Sequence, residues 1–295
     1  MELYYYTSTD SMHYILQGGN IYATNIRYMN DSQEYLNGLN ELRILSEDKD
    51  LLKNISSSKG VELESFSEKI WKENIKDSEI YSISFCETND LLSQWAIYAK
   101  ESGTSLKMNF KEENYTFTTE SRVKKRASCA EEPANQLSTW KLSPKKIFYF
   151  TKESMDTDEY EKIAKEIIKE IDYEKNSNPD QWETEGLKKI SAIIKRYDFY
   201  QENEYRLAFN PKEVAFPPDI KYRHDNKILK PYLDIKCEDG WPIWEIMIGP
   251  GMNQQIVFDS LEHFLNNESV KVGIKNSDDY IERVTSYIDS LYIEN

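Results

Sequence analysis

Apolar residues in this chain recur with two periods, and the alternation between them predicts a mixed α and β fold. Leu3 to Thr7 is an aromatic, β-prone run. Ser8 to Asp10 offers caps for a short helix through Leu16, and Gly18-Gly19-Asn20 turns the chain into a second strand from Ile21 to Thr24. Between Asp31 and Lys76 the sequence is charged and mostly helical, with Leu36, Leu39, Leu42 and Leu45 along one stripe. Ser82 to Phe85 reads as a short strand. Thr88, Asn89 and Asp90 can then cap a helix on which Leu91, Trp95 and Tyr98 recur every three to four residues, with Trp95 turned into the core.

Further strands are expected at Ser105 to Phe110 and Lys146 to Phe150. Two amphipathic helices follow, one through Ile163, Ile167 and Ile171 and one through Leu187, Ile190, Ile194 and Tyr197, joined by a turn at Asn178-Pro179-Asp180. They read as a helical insertion at about 156–198 in a single domain spanning 1–295. After it come a strand from Glu202 to Phe209, a closing strand-helix-strand unit at Ile246 to Ile248, Gln255 to Leu265 and Val270 to Ile274, and a terminal helix capped by Ser277. The expected class is α+β, a mixed β core with surrounding helices.

Composition narrows the function. No run approaches the roughly 18 apolar residues of a membrane span, and the N-terminus lacks the basic and apolar regions of a secretory leader, so a cytoplasmic protein that does not engage membranes is expected. Three widely spaced cysteines and three scattered histidines present no ligand spacing for zinc, so no metal site is expected. A formal charge of −15 opposes non-specific attraction to phosphate backbones. Arg122, Lys124, Lys125 and Arg126, with Lys141, Lys145 and Lys146, form one basic region in this acidic chain. That region suits either a guide for a nucleic acid or for the pyrophosphate of a dinucleotide, or a solvated loop balanced by Glu120, Glu131 and Glu132.

The sharpest chemical signal lies at the start of the Glu202 to Phe209 strand. A period of two puts Tyr205, Leu207 and Phe209 on a core face and Glu202, Glu204 and Arg206 on the opposite, open face. Carboxylates two residues apart raise one another's pKa, and a guanidinium beside them favours the ionised form. The trio suits an acceptor of ribose hydroxyls or the activation of a nucleophile. It also suits an ordinary solvent-facing strand with an ion pair.

Five segments, in order, carry a family resemblance: Leu3-Tyr4-Tyr5-Tyr6-Thr7-Ser8; Thr24 through Glu34; Ser82-Ile83-Ser84-Phe85-Cys86-Glu87 with Leu92-Ser93-Gln94-Trp95 and Tyr98; Glu202-Asn203-Glu204-Tyr205-Arg206; and Ile246-Met247-Ile248-Gly249-Pro250. In these the chain resembles a bacterial family known as domain of unknown function 2971, placed among the ADP-ribosyltransferase-like folds. The resemblance implies NAD as substrate and a macromolecular acceptor, nucleic acid or protein, in a toxin or antiviral-defence setting where an antitoxin or chaperone partner can occur. It implies Glu204 as the carboxylate that grips the ribose and helps deprotonate the acceptor, with Glu202 orienting the acceptor. It implies contacts to NAD from Tyr5, Tyr6, Thr7, Ser8, Tyr28, Asn30, Ser84, Tyr98 and Arg206. Tyr5 stands where members often carry a His that, in the wider clan, hydrogen-bonds the adenosine-side ribose. An NAD glycohydrolase, and an inactive nucleotide-binding module on the same fold, are the alternatives.

Overall fold

The computed structural model describes residues 1–29, 33–48, 79–99, 103–111, 114–121, 136–152, 155–177, 185–225, 228–251, 254–265 and 283–286. The chain opens with β1 (Glu2–Thr7), α1 (Thr9–Leu16) and β2 (Ile21–Asn25), as the pattern predicts. Ser8 caps α1 by accepting from the Ser11 amide, and Gly18 ends it at φ 79°, a conformation that glycine adopts without strain. A 3-10 turn (Ile26–Tyr28) leads to α2 (Glu34–Glu47), which buries Tyr35, Leu39, Leu42 and Leu45. β3 (Tyr81–Cys86) and α3 (Leu92–Tyr98) follow. The expected caps do not cap α3. Asp90 instead accepts from the indole of Trp95 at 2.8 Å, and Trp95 is buried as expected.

The next strands are β4 (Thr104–Asn109), β5 (Tyr115–Glu120), β6 (Leu137–Leu142) and the short β7 (Lys145–Lys146) and β8 (Phe148–Tyr149). The single strand expected at Lys146 to Phe150 is thus two pieces, one joining the large sheet and one leaving it. Then come α4 (Thr157–Ser177), α5 (Leu187–Ala192), β9 (Ile194–Lys195) and a second 3-10 turn (Tyr197–Glu202). The helix expected to continue through Ile194 and Tyr197 stops at Ala192, because Ile194 and Lys195 pair in parallel with β8. β10 (Glu204–Phe209), β11 (Lys221–Asp225), β12 (Ile228–Cys237), β13 (Ile243–Ile248), α6 (Gln254–Leu265) and β14 (Arg283–Ser286) complete the described chain. β14 lies where a terminal helix was expected, paired in parallel with β13. Its β-branched Val284 and Thr285 suit a strand better than a helix. Ser277 and Val270 to Ile274 lie outside the described residues.

The sheet runs β14-β13-β4-β1-β3-β2-β12-β5-β6, with β10 and β11 as branches. β10 occupies one edge of β3 along its whole length, from Glu204↔Cys86 to Phe209↔Tyr81. β1 and β2 divide the other edge. β1 touches β3 only at Tyr4↔Cys86, and β2 only at Thr24↔Ser82 and Asn25↔Tyr81. The sheet therefore forks beside Ile83, Ser84 and Phe85.

One sheet face buries Leu3, Ile83, Phe85, Leu207 and Phe209 under α1 and α6. The sheet curls on this side until Trp140 of β6 meets Phe209 edge-on at 5.5 Å and donates to the Asn210 carbonyl at 3.0 Å. The opposite face carries a second core in which Tyr35, Leu39, Ile167 and Ile190 come from α2, α4 and α5. The 156–198 segment is therefore not peripheral. At Gly38 of α2 an added Cβ would lie 2.4 Å from the Ser191 carbonyl oxygen, a close approach that seats α2 on the α5–β9 turn.

Candidate functional site

β10 begins at Glu204, not Glu202. Asn203 just before it has φ 43°, and Glu202 closes the preceding 3-10 turn. The start of the strand is pinned by Tyr149, whose hydroxyl accepts from the Glu204 amide at 2.8 Å, and by the Glu204 carbonyl, which accepts from the Ile147 amide at 3.0 Å.

The Glu204–Arg206 face is not open to solvent as the alternation predicts. Glu204 is 6% exposed and Arg206 1%, because the α2 and α5–β9 layer lies over them. A buried charge must be paired, and these are. Arg206 donates through Nε to Glu204 Oε1 at 2.5 Å and through a terminal nitrogen to Glu204 Oε2 at 2.9 Å. It also donates to the Ala192 carbonyl at 2.7 Å and to Glu34, the first residue of α2. Lys195 reaches Glu202 Oε2 at 2.5 Å, Glu204 Oε2 at 3.2 Å and Glu34 Oε2 at 3.3 Å. Three carboxylates thus face two cations, and the cluster keeps a net negative charge.

The two carboxylates differ in character. Burial alone raises the Glu204 carboxyl, but Arg206 and Lys195 outweigh it and hold the group well below the usual carboxylate range. For Glu202 burial wins over Lys195, and its carboxyl is raised. Glu202 is also the one that reaches solvent, with its side chain 26% exposed. Lys195 itself is pulled down by burial and up, more strongly, by Glu204 and Glu34.

Beside the cluster, on the same sheet face, lie Ser82 and Ser84 of β3, opposite Ala208 and Arg206 in the register. Their hydroxyls are buried without a well-aligned partner, although Ser84 lies close enough to Glu204 to help hold its carboxylate ionised. A buried hydroxyl of this kind can be met by an ordered water or by a polar ligand. Tyr5 stands at the fork, its ring 5.9 Å from that of Phe85 and its hydroxyl beside Thr7. Burial, opposed by Arg223, pushes that phenol up to about 12. Tyr98 at the end of α3 is raised by burial and then by the Glu204 charge. Tyr98 therefore lies by Glu202 and Glu204, and Tyr5 with Thr7 stands next to Tyr98 at the fork, its ring on the Phe85 side of the sheet.

Other expected contacts do not converge there. Tyr6 points to the opposite side of β1, packs edge-on against Trp95 at 4.8 Å, donates to the Thr88 carbonyl and accepts from the Leu91 amide. The Ser8 hydroxyl is spent on capping α1. Arg206 is consumed in holding Glu204, Glu34 and Ala192, so it orders the site instead of contacting a ligand. Tyr28 is exposed on its 3-10 turn. Asn30 lies outside the described residues, as do Arg122, Lys124, Lys125 and Arg126 of the basic region. Lys145 and Lys146 pair with Glu170 and Glu87, so they add little free positive charge to that region.

Sequence reasoning missed Lys195, Glu34, Thr24 and Arg223. Lys195 left one trace, a charge that with Arg196 ends the apolar run Ala192-Ile193-Ile194. Thr24 and Glu34 bound one of the resembling segments but were given no role, since an acidic residue opening a helix is ordinary. Among the described residues no group of His, Cys, Asp and Glu could hold a metal, and no helix is long and apolar enough to cross a membrane. The chain matches no protein-family model, no curated protein and no solved structure.

Proposed function

We propose that this protein is an ADP-ribosyltransferase that consumes NAD and transfers ADP-ribose to a macromolecular acceptor, with Glu204 and Glu202 as its two working carboxylates. One observation carries the reading. Two carboxylates share a single ammonium beside the Ser82 and Ser84 hydroxyls, and their environments push their pKa values apart. Such divergence assigns one group to electrostatics and the other to proton transfer.

Breaking the bond between ribose and nicotinamide generates positive charge at the anomeric carbon, and a fixed carboxylate stabilises it. Glu204 stays ionised between Arg206 and Lys195, and its carboxylate is the acceptor offered to a ribose hydroxyl. Glu202, raised and nearer solvent, takes the proton of the attacking acceptor. Ser82 and Ser84 supply hydroxyls to the sugar or amide. Nicotinamide leaves as a neutral amide, so the net negative cluster favours the charged reactant side and the transition state over the product.

A second reading, a nucleotide-binding module without turnover, is favoured by the burial of Glu204 and by its full set of partners. Incubation with NAD labelled in its adenylate half, with and without cell lysate, separates the readings. Nicotinamide release with label on protein or nucleic acid supports transfer, and release of free ADP-ribose alone supports hydrolysis. Binding without release of nicotinamide leaves the module.

A further inference from the structure

The sheet face that carries Ser82 continues across β2 and β12, and its polar residues there are unused by the carboxylate cluster. The register places Thr24 opposite both Ser82 and Tyr232, and Tyr22 opposite Asp234. Arg223 of β11 reaches across β12 and donates to Thr24 Oγ1 at 3.0 Å, while its Nε is buried without a partner. Its guanidinium lies 5.7 Å from the centre of the Tyr22 ring. Tyr22 and Tyr232 contact at 4.4 Å, and Tyr14 and Tyr22 at 6.5 Å, with Tyr14 and Tyr22 both exposed. Below them a groove of about 350 Å³ opens along β12 and β5, lined by Asn20, Thr118, Lys221, Asp234 and Lys236. Asp234 gives one carboxylate oxygen to Lys221 at 2.9 Å, and the other is buried with no partner.

We infer that this strip is a nucleotide-binding subsite, in which a base stacks on the exposed tyrosines, a ribose hydroxyl or base amine donates to the free oxygen of Asp234, and a phosphate meets Arg223. Each part answers a separate observation. A flat aromatic surface takes a base in a sequence-tolerant stack. A buried carboxylate oxygen without a donor calls for one from the ligand, and a buried guanidinium N–H calls for an anion. The groove is in the size range of sites for small molecules. Adjacent strands stand roughly 4.8 Å apart, so the three strand spacings from β10 to β12, widened by the fork, put Glu204 and Asp234 more than about 14 Å from one another, a span for an extended dinucleotide. The assignment of the strip as the adenosine half of NAD rests on the transferase reading. The nucleotide site itself does not.

The test is calorimetric titration of the whole chain with AMP, ADP-ribose, ribose 5-phosphate and inorganic phosphate. AMP and ADP-ribose should bind, and ribose 5-phosphate at least about fivefold more weakly, since it lacks the base. Asp234→Asn and Tyr22→Ala should each weaken AMP by about tenfold, the effect of one charge-assisted hydrogen bond or one stack. Glu204→Gln should change AMP affinity less than about twofold. No AMP binding by the wild type, equal binding of AMP and ribose 5-phosphate, or no effect of either strip variant would overturn the inference. AMP binding without NAD consumption would leave the nucleotide site standing and remove the transferase reading. NAD consumption with a KM unmoved by both variants would keep the transferase reading and overturn the assignment of the strip to the adenosine half of NAD.

Discussion

Glu202 and Glu204 share one ammonium: Lys195 Nζ stands 2.5 Å from Glu202 and 3.2 Å from Glu204. The sharing is unequal in consequence, because Glu204 also has Arg206 whereas Glu202 has solvent on its other side. The first prediction follows from that inequality. Glu204→Gln keeps the shape of the side chain but leaves Arg206 and Lys195 short of a counter-charge in a buried place, and breaking such a pair costs about 3–5 kcal/mol. The variant should unfold at clearly lower urea, which an open strand face would not require. Its NAD turnover, measured on folded protein, should fall on the order of 100-fold to 1,000-fold, with affinity changed far less. Wild-type turnover in the folded variant would remove Glu204 from the chemistry.

The pH profile of stability should have two limbs of opposite sign. Glu204 is held below the ordinary carboxylate pKa, about 4.3 in an unfolded chain. Its stabilisation is therefore present above that range and lost as pH falls through the folded value. Glu202 is raised, so the folded state takes up its proton before the unfolded chain does, and protonation relieves the fold. Urea midpoints should hold or rise slightly as pH drops from neutrality toward about 5, then fall steeply below about 4. Glu202→Gln should flatten the upper limb and Glu204→Gln the lower. A single monotonic profile unchanged by either variant would contradict the assignment.

Tyr6→Phe should injure the fold and spare the substrate. The hydroxyl it removes serves the Thr88 carbonyl and the Leu91 amide, and an unsatisfied buried group costs about 1–3 kcal/mol. The thermal midpoint should drop while the KM for NAD stays at the wild-type value. A raised KM at unchanged stability would put Tyr6 back among the ligand contacts.

Gly38→Ala tests the seating of α2. The new methyl would meet the Ser191 and Ile194 carbonyl oxygens, both backbone atoms that cannot swing aside. Overpacking of this kind costs about 1–3 kcal/mol. It also displaces Glu34 relative to Lys195 and Arg206, so turnover should fall along with stability although residue 38 touches no ligand. Full activity in the variant would show that Glu34 is not needed to order the cluster.

Much of the framework was legible because it rests on local pattern. Alternation in Tyr205, Leu207 and Phe209 placed those side chains in the core they occupy, and the leucine stripe placed α2 correctly. The other face of β10 was misread for a physical reason. Alternation reports that one face is apolar, but a charged face looks the same whether it meets water or partners contributed from elsewhere. Glu34 lies 172 residues from Arg206, and nothing near either predicts the pairing. β9 was lost for a related reason, since Ile190 and Ile194 fit a helical stripe until tertiary pairing with β8 claims the second of them. β5, β6, β11 and β12 were not anticipated either. The long β12 includes Pro231, Asp234 and Lys236, residues that blur a strand signature.

Asn203 sets the two carboxylates on different mechanical footings. Its left-handed backbone is a joint between the sheet and an aromatic turn in which no residue is fully buried. Glu204 belongs to the sheet, locked in β10 by pairing with β3, and Glu202 to the turn, where its carbonyl accepts from the Cys86 thiol at 3.1 Å. The Glu204 charge is thereby held twice, by strand pairing and by Arg206, and the Glu202 charge by Lys195. A β-branched side chain at 203 would resist the left-handed geometry, and the placement of Glu202 relative to Glu204 would shift with it.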